Sequence, residues 1–305
     1  MENDLKIATM VISSNTYPAQ RNSKMQKKLF LDQNINPNLT FWYKSGEKKV
    51  LGNQKYHLNN DKDLLIDTND GSRNMGLKTI LAFEWLIKNR DFEFLVRPTP
   101  SSYINFKNLE LFIKSNLLNY EKVYCGKLQS TFNKEGKKIE FVSGSTYILN
   151  KQSVIEIIEN KESWDHEQWD DVALSLLMNQ LNIKPQLTER FDVEGNALIQ
   201  DIDVSYYQYR CRADNHYFYP RYLEAYNMEI VHKICSEIKI NKFYKTYMKF
   251  FFNFSKYFYI YEFSWKVYKI FRFVLKKILP NNFFIYLKNK YIKKIMNFKH
   301  IKFKY

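Results

Sequence analysis

Three short stretches of this sequence hold residues that could do chemistry. In the first, two adjacent acids, Asp170 and Asp171, open the apolar run "DDVALSLLMNQLNI" and follow Trp164, Asp165, His166, Glu167 and Trp169. Acids in the first turn of a helix stabilise its dipole, and that alone would account for them. Two neighbouring carboxylates beside two tryptophans exceed what capping requires, and tryptophan faces are common stacking platforms for sugars. In the second, "YQYRCRADNHYFYPRYLEAYNMEIVHK" (207–233) sets Arg210, Arg212 and Arg221 among aromatic residues. Arginine binds phosphate through two parallel hydrogen bonds and stays charged, so the cluster suits a phosphate clamp. The alternative is an exposed strand whose arginines meet solvent or acids. In the third, "FEFLVRPTPSSYINF" (92–106), the run Phe94-Leu95-Val96 reads as a buried strand ending in Arg97-Pro98-Thr99-Pro100-Ser101-Ser102. The carboxyl end of such a strand is where open α/β sheets bind ligands. Hard divalent cations want carboxylate oxygens there. This strand offers a guanidinium, two prolines and hydroxyls.

Elements that would position these residues follow from hydrophobic spacing. "KIATMVISS" (6–14) is an apolar run without helical period, a buried first strand, followed by a loop and a basic helix. "LTFWYKSG" (39–46) and "DLLIDTNDG" (63–71) read as strands, the latter running into an acidic turn. "MGLKTILAFEWLIKN" (75–89) spaces Leu77, Ile80, Leu81, Glu84-Trp85 and Lys88 as an amphipathic helix. "NFKNLELFIKSNLL" (105–118) is a helix with Leu109, Phe112 and Ile113 on one face. "KVYCGKL" and "KIEFVSGSTYILN" are strands, a helix follows at 151–160, and a last one covers 170–183 before Pro185. Strands alternating with helices predict an α/β domain with a mainly parallel sheet flanked by helices.

Charge divides the chain. Residues 1–240 carry 31 basic and 31 acidic side chains, whereas 241–305 carry 16 basic ones and a single acid, Glu262. The whole net charge of +15 therefore sits in the last 65 residues, which predicts a domain at 1–240 and a separate basic extension at 241–305. That extension holds 23 aromatics, with Lys242, Lys245, Lys249 and Lys256 on one helical stripe and Lys266, Lys269, Arg272 and Lys276 on another. A basic amphipathic helix with an aromatic face suits an anionic membrane surface, where each lysine contributes about 1 kcal/mol. Nucleic-acid binding and packing against the domain or a second subunit are the competing readings. Cys125, Cys211 and Cys235 fit no zinc or redox spacing and read as reduced thiols. Asp165, His166 and Glu167 are too close in sequence to face one metal. The first residues, Met1-Glu2-Asn3-Asp4-Leu5-Lys6, lack the charge pattern of a signal peptide, and no span of about 18 uncharged apolar residues predicts a transmembrane helix.

In order and spacing, residues 6–190 resemble the fringe and β1,3-galactosyltransferase group, glycosyltransferases of the GT-A fold. "RNSKMQKKLFLD" stands where the group has a basic helix. "SRNMGLKTILAFEW" matches its "YxNLTxKTL" helix through Asn74, Leu77, Lys78, Thr79 and Trp85. "GSTYILN" matches "GGGYVLS", and "DDVALSLLMNQLNI" matches "EDVYVG…LGI". "RPTPSSYIN" aligns with "KTDDDVFVN", so the group's three metal-binding acids fall on Thr99, Pro100 and Ser101.

The resemblance implies a GT-A-like domain that moves a sugar from a nucleotide donor, a UDP-sugar, to a hydroxyl of a lipid-linked or cell-surface glycan. Inversion at the sugar carbon is implied as well. It puts the catalytic base at Asp171, with Asp170 beside it, and the acceptor near Trp164 and Trp169. With the acids replaced, no divalent metal is expected. The donor's charge would fall to Arg97, Arg210, Arg212 or Arg221, with Ser101 or Ser102 offering hydroxyls. No nucleic acid is expected as partner, and the protein would sit at the cytoplasmic face of the membrane through 241–305. The alternatives are a catalytically silent domain of the same fold that binds glycan or nucleotide, and a basic nucleic-acid-associated protein.

Overall fold

The structure is a computed structural model that describes residues 5–33, 35–59, 62–71, 74–132, 136–193, 197, 201–212 and 221–238. The basic extension, 241–305, lies outside the described residues. In chain order the elements are β1 (Ile7–Ile12), α1 (Ala19–Leu31), β2 (Thr40–Ser45), α2 (Lys48–Leu51), β3 (Tyr56–Leu58), β4 (Asp63–Ile66) and α3 (Met75–Asn89). They continue with β5 (Phe94–Pro98), β6 (Ser102–Ile104), α4 (Phe106–Asn116), β7 (Tyr124–Phe132), β8 (Lys138–Asn150), α5 (Lys151–Glu159) and α6 (Asp170–Gln180). The last are β9 (Gln186–Leu187), β10 (Phe191–Asp192), β11 (Gln208–Arg210) and α7 (Glu224–Cys235).

Eight strands form one sheet in the order β3-β4-β2-β1-β5-β8-β7-β9. β4, β2, β1 and β5 are mutually parallel, and only β3 and β8 run against the majority direction. The sheet is therefore mainly parallel and flanked by helices. β1 is its centre. Ala8, Met10 and Ile12 face a core shared with α3, α5 and α6, while Val11 faces another shared with α1 and α4. Burial on both faces is why β1 shows no alternation of polar and apolar residues. From β1 the chain moves outward to β2 and β4, then returns to the other side of β1 as β5. That reversal puts the topological switch point at the carboxyl ends of β1 and β5, the place where open α/β sheets bind ligands. A second sheet, β10-β11-β6, continues from the end of β5.

Local chemistry sets the boundaries. Asn105 and Asn150 cap α4 and α5, accepting from the backbone N–H of Asn108 (3.2 Å) and Ser153 (3.0 Å). α6 stops at Gln180 because Asn182 takes a left-handed conformation (φ 56°) and the Ile183 N–H bonds back to the Met178 carbonyl at 2.8 Å. The helix thus ends before Pro185 is reached, shorter than the 170–183 expected. α3 also differs from its sequence reading. Leu77 is exposed, and Lys78 is buried against Asp70 at 2.8 Å. Gly76, the second residue of α3, lets the helix approach Trp164, whose indole occupies the space a Cβ would need.

Candidate active site

The carboxyl end of β5 meets α6 at a buried ion pair. Arg97 is 1% exposed, and its Nη2 donates to Asp170 Oδ2. Its Nη1 donates to the Gly144 carbonyl at 2.6 Å and its Nε to the Tyr43 hydroxyl at 3.0 Å. A guanidinium only donates, so Tyr43 accepts from it, and the same hydroxyl is hydrogen-bonded with Thr79 Oγ1, 3.1 Å away. The Tyr147 ring lies 5.2 Å from the guanidinium carbon. β8 supplies Gly144 and Tyr147, paired to β5 through the register of Arg97 with Tyr147.

Asp171, partly buried, sits against the same glycine. Its Oδ2 accepts from the Gly144 N–H at 2.9 Å. A Cβ on Gly144 would stand 2.9 Å from that oxygen and 3.0 Å from the Asp171 Cβ, so glycine is what allows the approach. Burial, and then the negative charge of Asp170, push the Asp171 carboxyl above the usual carboxylate range. The Gly144 N–H and the Arg97 charge oppose this without cancelling it. Trp169, immediately before the pair, is 62% exposed. Trp164 is 4% exposed and packed in the core against Gly76, so it has no face for a sugar. Its place in the acceptor site is corrected to a core position.

On the other flank of β8, Ser143 and Ser145 meet a second buried arginine. Arg190 Nη1 donates to Ser143 Oγ (2.6 Å) and Ser145 Oγ (2.7 Å), and Nε donates to Asp192 (2.9 Å). Arg210 Nη1 lies 3.9 Å from the same Asp192 oxygen. Gln208 donates to Ser145 Oγ at 3.0 Å, and its carbonyl oxygen is buried with no partner among the described residues. Arg210 stands opposite both Asp192 and Ser102 in the small sheet, so the "RPTPSS" turn and this arginine are direct neighbours. Arg212, two residues on, is exposed. Arg221 is tied elsewhere. Its Nε donates to Glu224 at 3.0 Å, and Glu224 accepts from Asn22 of α1.

The turn itself is internally bonded. Ser102 is fully buried and donates to the Ser145 carbonyl at 2.8 Å, which leaves no hydroxyl for a ligand. Ser101 is nearly as buried, with Thr99 Oγ1 3.5 Å away. Both serines shape the turn, a correction to their role as donor contacts. The residues at this strand end do not fit a divalent cation. Thr99, Pro100 and Ser101 bring no carboxylate, Asp170 is paired with Arg97, and a fixed positive charge repels a cation. Among the described residues no group of three or more His, Cys, Asp or Glu is placed to hold a metal ion.

At the ends of β1, β2 and β4, Asp70 accepts from Lys78 (2.8 Å), Ser45 (2.7 Å) and the Asn15 N–H (3.1 Å). Burial would raise its carboxyl, but these bonds outweigh it and hold the group below the usual range. Lys78 and Thr79, which carried part of the family resemblance, thus serve Asp70 and Tyr43. Sequence reasoning missed Arg190, Gln208, the two serines of β8 and Tyr43. Arg190 and Asp192 alternate as same-face residues do in an extended chain, which was the available signal.

No protein-family model matches the chain, and no curated protein matches it. Similar solved structures include a glycosyltransferase involved in the glycosylation of the major capsid of PBCV-1, 10% identical with a TM-score of 0.44, covering 73% of this chain and 100% of that one. They include the glycosyltransferase GlyE of Streptococcus pneumoniae TIGR4, 12% identical with a TM-score of 0.40, covering 76% of this chain and 63% of that one. A 4-diphosphocytidyl-2C-methyl-D-erythritol synthase from Anaerococcus prevotii DSM 20548 is 9% identical with a TM-score of 0.38, covering 60% and 86% of the two chains.

Proposed function

We propose that this chain is a glycosyltransferase that moves a sugar from a nucleotide donor, a UDP-sugar, to a glycan hydroxyl with inversion and without a divalent metal. The observation that carries the reading is Asp171. It is a half-buried carboxylate against β8, beside the carboxyl end of β5, held by the Gly144 N–H and less acidic than an ordinary aspartate. A general base works best when its pKa approaches the operating pH, and a carboxylate of that kind suits taking a proton from an acceptor hydroxyl. Trp169 beside it offers the acceptor a stacking face.

Across Ser143-Gly144-Ser145 from Asp171, the positively charged side chains of Arg190 and Arg210 meet at one carboxylate, Asp192. A leaving nucleoside diphosphate needs such charge as its bond to the sugar breaks. Proton removal and leaving-group stabilisation would thus sit on opposite sides of one strand. The strand end lacks the carboxylates a cation would use, which favours a metal-independent reaction. The acceptor, a lipid-linked or surface glycan, follows from the basic aromatic extension, which would hold the protein on an anionic membrane at its cytoplasmic face. Among the described residues no helix is long and apolar enough to cross a membrane.

The test is hydrolysis of a panel of nucleotide sugars with and without EDTA. Turnover of one donor, unchanged by chelator and reduced about ten- to a hundredfold in Arg210→Ala, is the expected result. Arg210→Lys would recover only part, since lysine cannot make two parallel bonds. Loss of turnover with EDTA and its return with Mn²⁺ would overturn the metal-free reading. Binding of a nucleotide or glycan with no turnover would leave a silent domain of the same fold.

A further inference from the structure

We propose that Arg97 is a positioning residue for Asp171, acting through Asp170 and Gly144, and is not a ligand of the donor phosphate. The inference rests on the reading of Asp171 as general base. At 1% exposure Arg97 is out of reach of a phosphate, and Nε, Nη1 and Nη2 are each committed to a partner. Its contacts converge on Asp171 by two routes. The first runs through backbone. The Gly144 carbonyl accepts from Arg97, and the Gly144 N–H donates to Asp171, so the guanidinium holds the residue that holds the carboxylate.

The second route is charge. Asp170 and Asp171 are consecutive carboxylates in one partly dehydrated turn, and like charges so placed resist ionising together. Arg97 offsets the charge of Asp170 in part, which lowers the cost of charging Asp171 beside it. Other titratable groups near the pair are Tyr124 of β7, Tyr147 of β8 and Tyr43 of β2, all buried and neutral across that range. α3, which also packs on α6, carries Lys78 paired to Asp70 and Glu84 paired to Lys161. Arg97 is therefore the one cation that the described residues place against the two acids.

The experiment is a ¹³C-carboxyl NMR titration of the full chain, with Asp171 assigned by Asp171→Asn, in the wild type, Arg97→Met, Arg97→Lys, Asp170→Asn and the double variant Arg97→Met/Asp170→Asn. In Arg97→Met the Asp171 midpoint should rise by about one pH unit or more. The acid limb of any donor turnover should move up with it. Removing the Asp170 charge in the same protein should bring the midpoint back down, and Arg97→Lys should lie between. If Arg97→Met does not fold, the double variant, which buries no unpaired charge, should still titrate at a higher pH than Asp170→Asn alone. An Asp171 midpoint that ignores Arg97 in both comparisons would overturn the proposal and leave Arg97 a purely structural ion pair. A wild type that turns over no nucleotide sugar would sink the functional reading only, because the titration reads the coupling without it.

Discussion

Asp171 and Asp170 are consecutive in sequence and opposite in duty. Asp170 is buried and spent on Arg97, and Asp171 is half-buried and held by the backbone N–H groups of Gly144 in β8 and of Val172. Asp171→Asn keeps the shape of the side chain and removes its capacity to take a proton. Turnover should fall by about two to four orders of magnitude, with donor affinity measured by calorimetry little changed. An Asp171→Asn protein with ordinary turnover would strip the residue of its role. Asp170→Asn should behave differently. Leaving Arg97 buried without its counter-charge should cost stability by about 3–5 kcal/mol, visible as a lower thermal midpoint. Both acids were legible in the sequence as a pair, but their division of labour was not. Which of two neighbours meets an arginine 73 residues away depends on how α6 is rotated against β5.

At the scale of elements, β8 is the spine of the site. Its Ser143-Gly144-Ser145 segment touches Arg190 on one flank and Asp171 on the other. Gly144→Ala would put a methyl group 2.9 Å from the Asp171 carboxylate. The side chain must swing away, and a misplacement of about 1 Å can cost about a hundredfold in rate. The expected outcome is a folded protein whose turnover drops about ten- to a hundredfold while urea midpoints change little.

α7 closes the other side of the small sheet. His232 in α7 accepts or donates at 3.1 Å to the Tyr103 hydroxyl of β6 and is nearly buried. Burial pushes the imidazole below its ordinary value of about 6.5, with Asp32 and Glu229 opposing. The unfolded chain therefore binds a proton at this site more readily than the folded one. The contribution of His232 is present above pH about 6.5 and is lost as pH falls through that value toward the folded pKa. Chemical denaturation from pH 7.5 to 5 should show this decline, and His232→Gln should flatten it. An equal slope in the variant would assign the acid sensitivity to other groups.

For the whole molecule, a neutral region at 1–240 is followed by 65 residues that carry the entire charge excess. Truncation after residue 240 should abolish sedimentation with vesicles containing anionic lipid, and binding by the full chain should weaken as salt rises. A truncated protein that still sediments would place the membrane contact in the first 240 residues. Steeply salt-dependent binding to DNA by the full chain, with none to vesicles, would instead favour the nucleic-acid reading.

What the sequence determined by itself is the order of the larger strands and helices. Continuous apolar runs such as "IATMVI" and spaced ones such as "LELFI" depend only on which neighbours lie two or about four residues away, so β1, β5, β8, α4 and α5 could be read from spacing. The short strands β6, β10 and β11 could not be read that way. Two or three residues carry no period, and these strands exist because Ser102, Asp192 and Arg210 pair across the chain. The same holds for the site. The identities of Asp171, Arg97 and Arg210 were visible, and their partners were not. Arg97 stood at a strand end as a candidate phosphate ligand until folding brought Asp170, Gly144 and Tyr43 around it. Burial and charge pairing are set by residues distant in sequence, so tertiary structure alone decided which arginine is enclosed and which two surround Asp192.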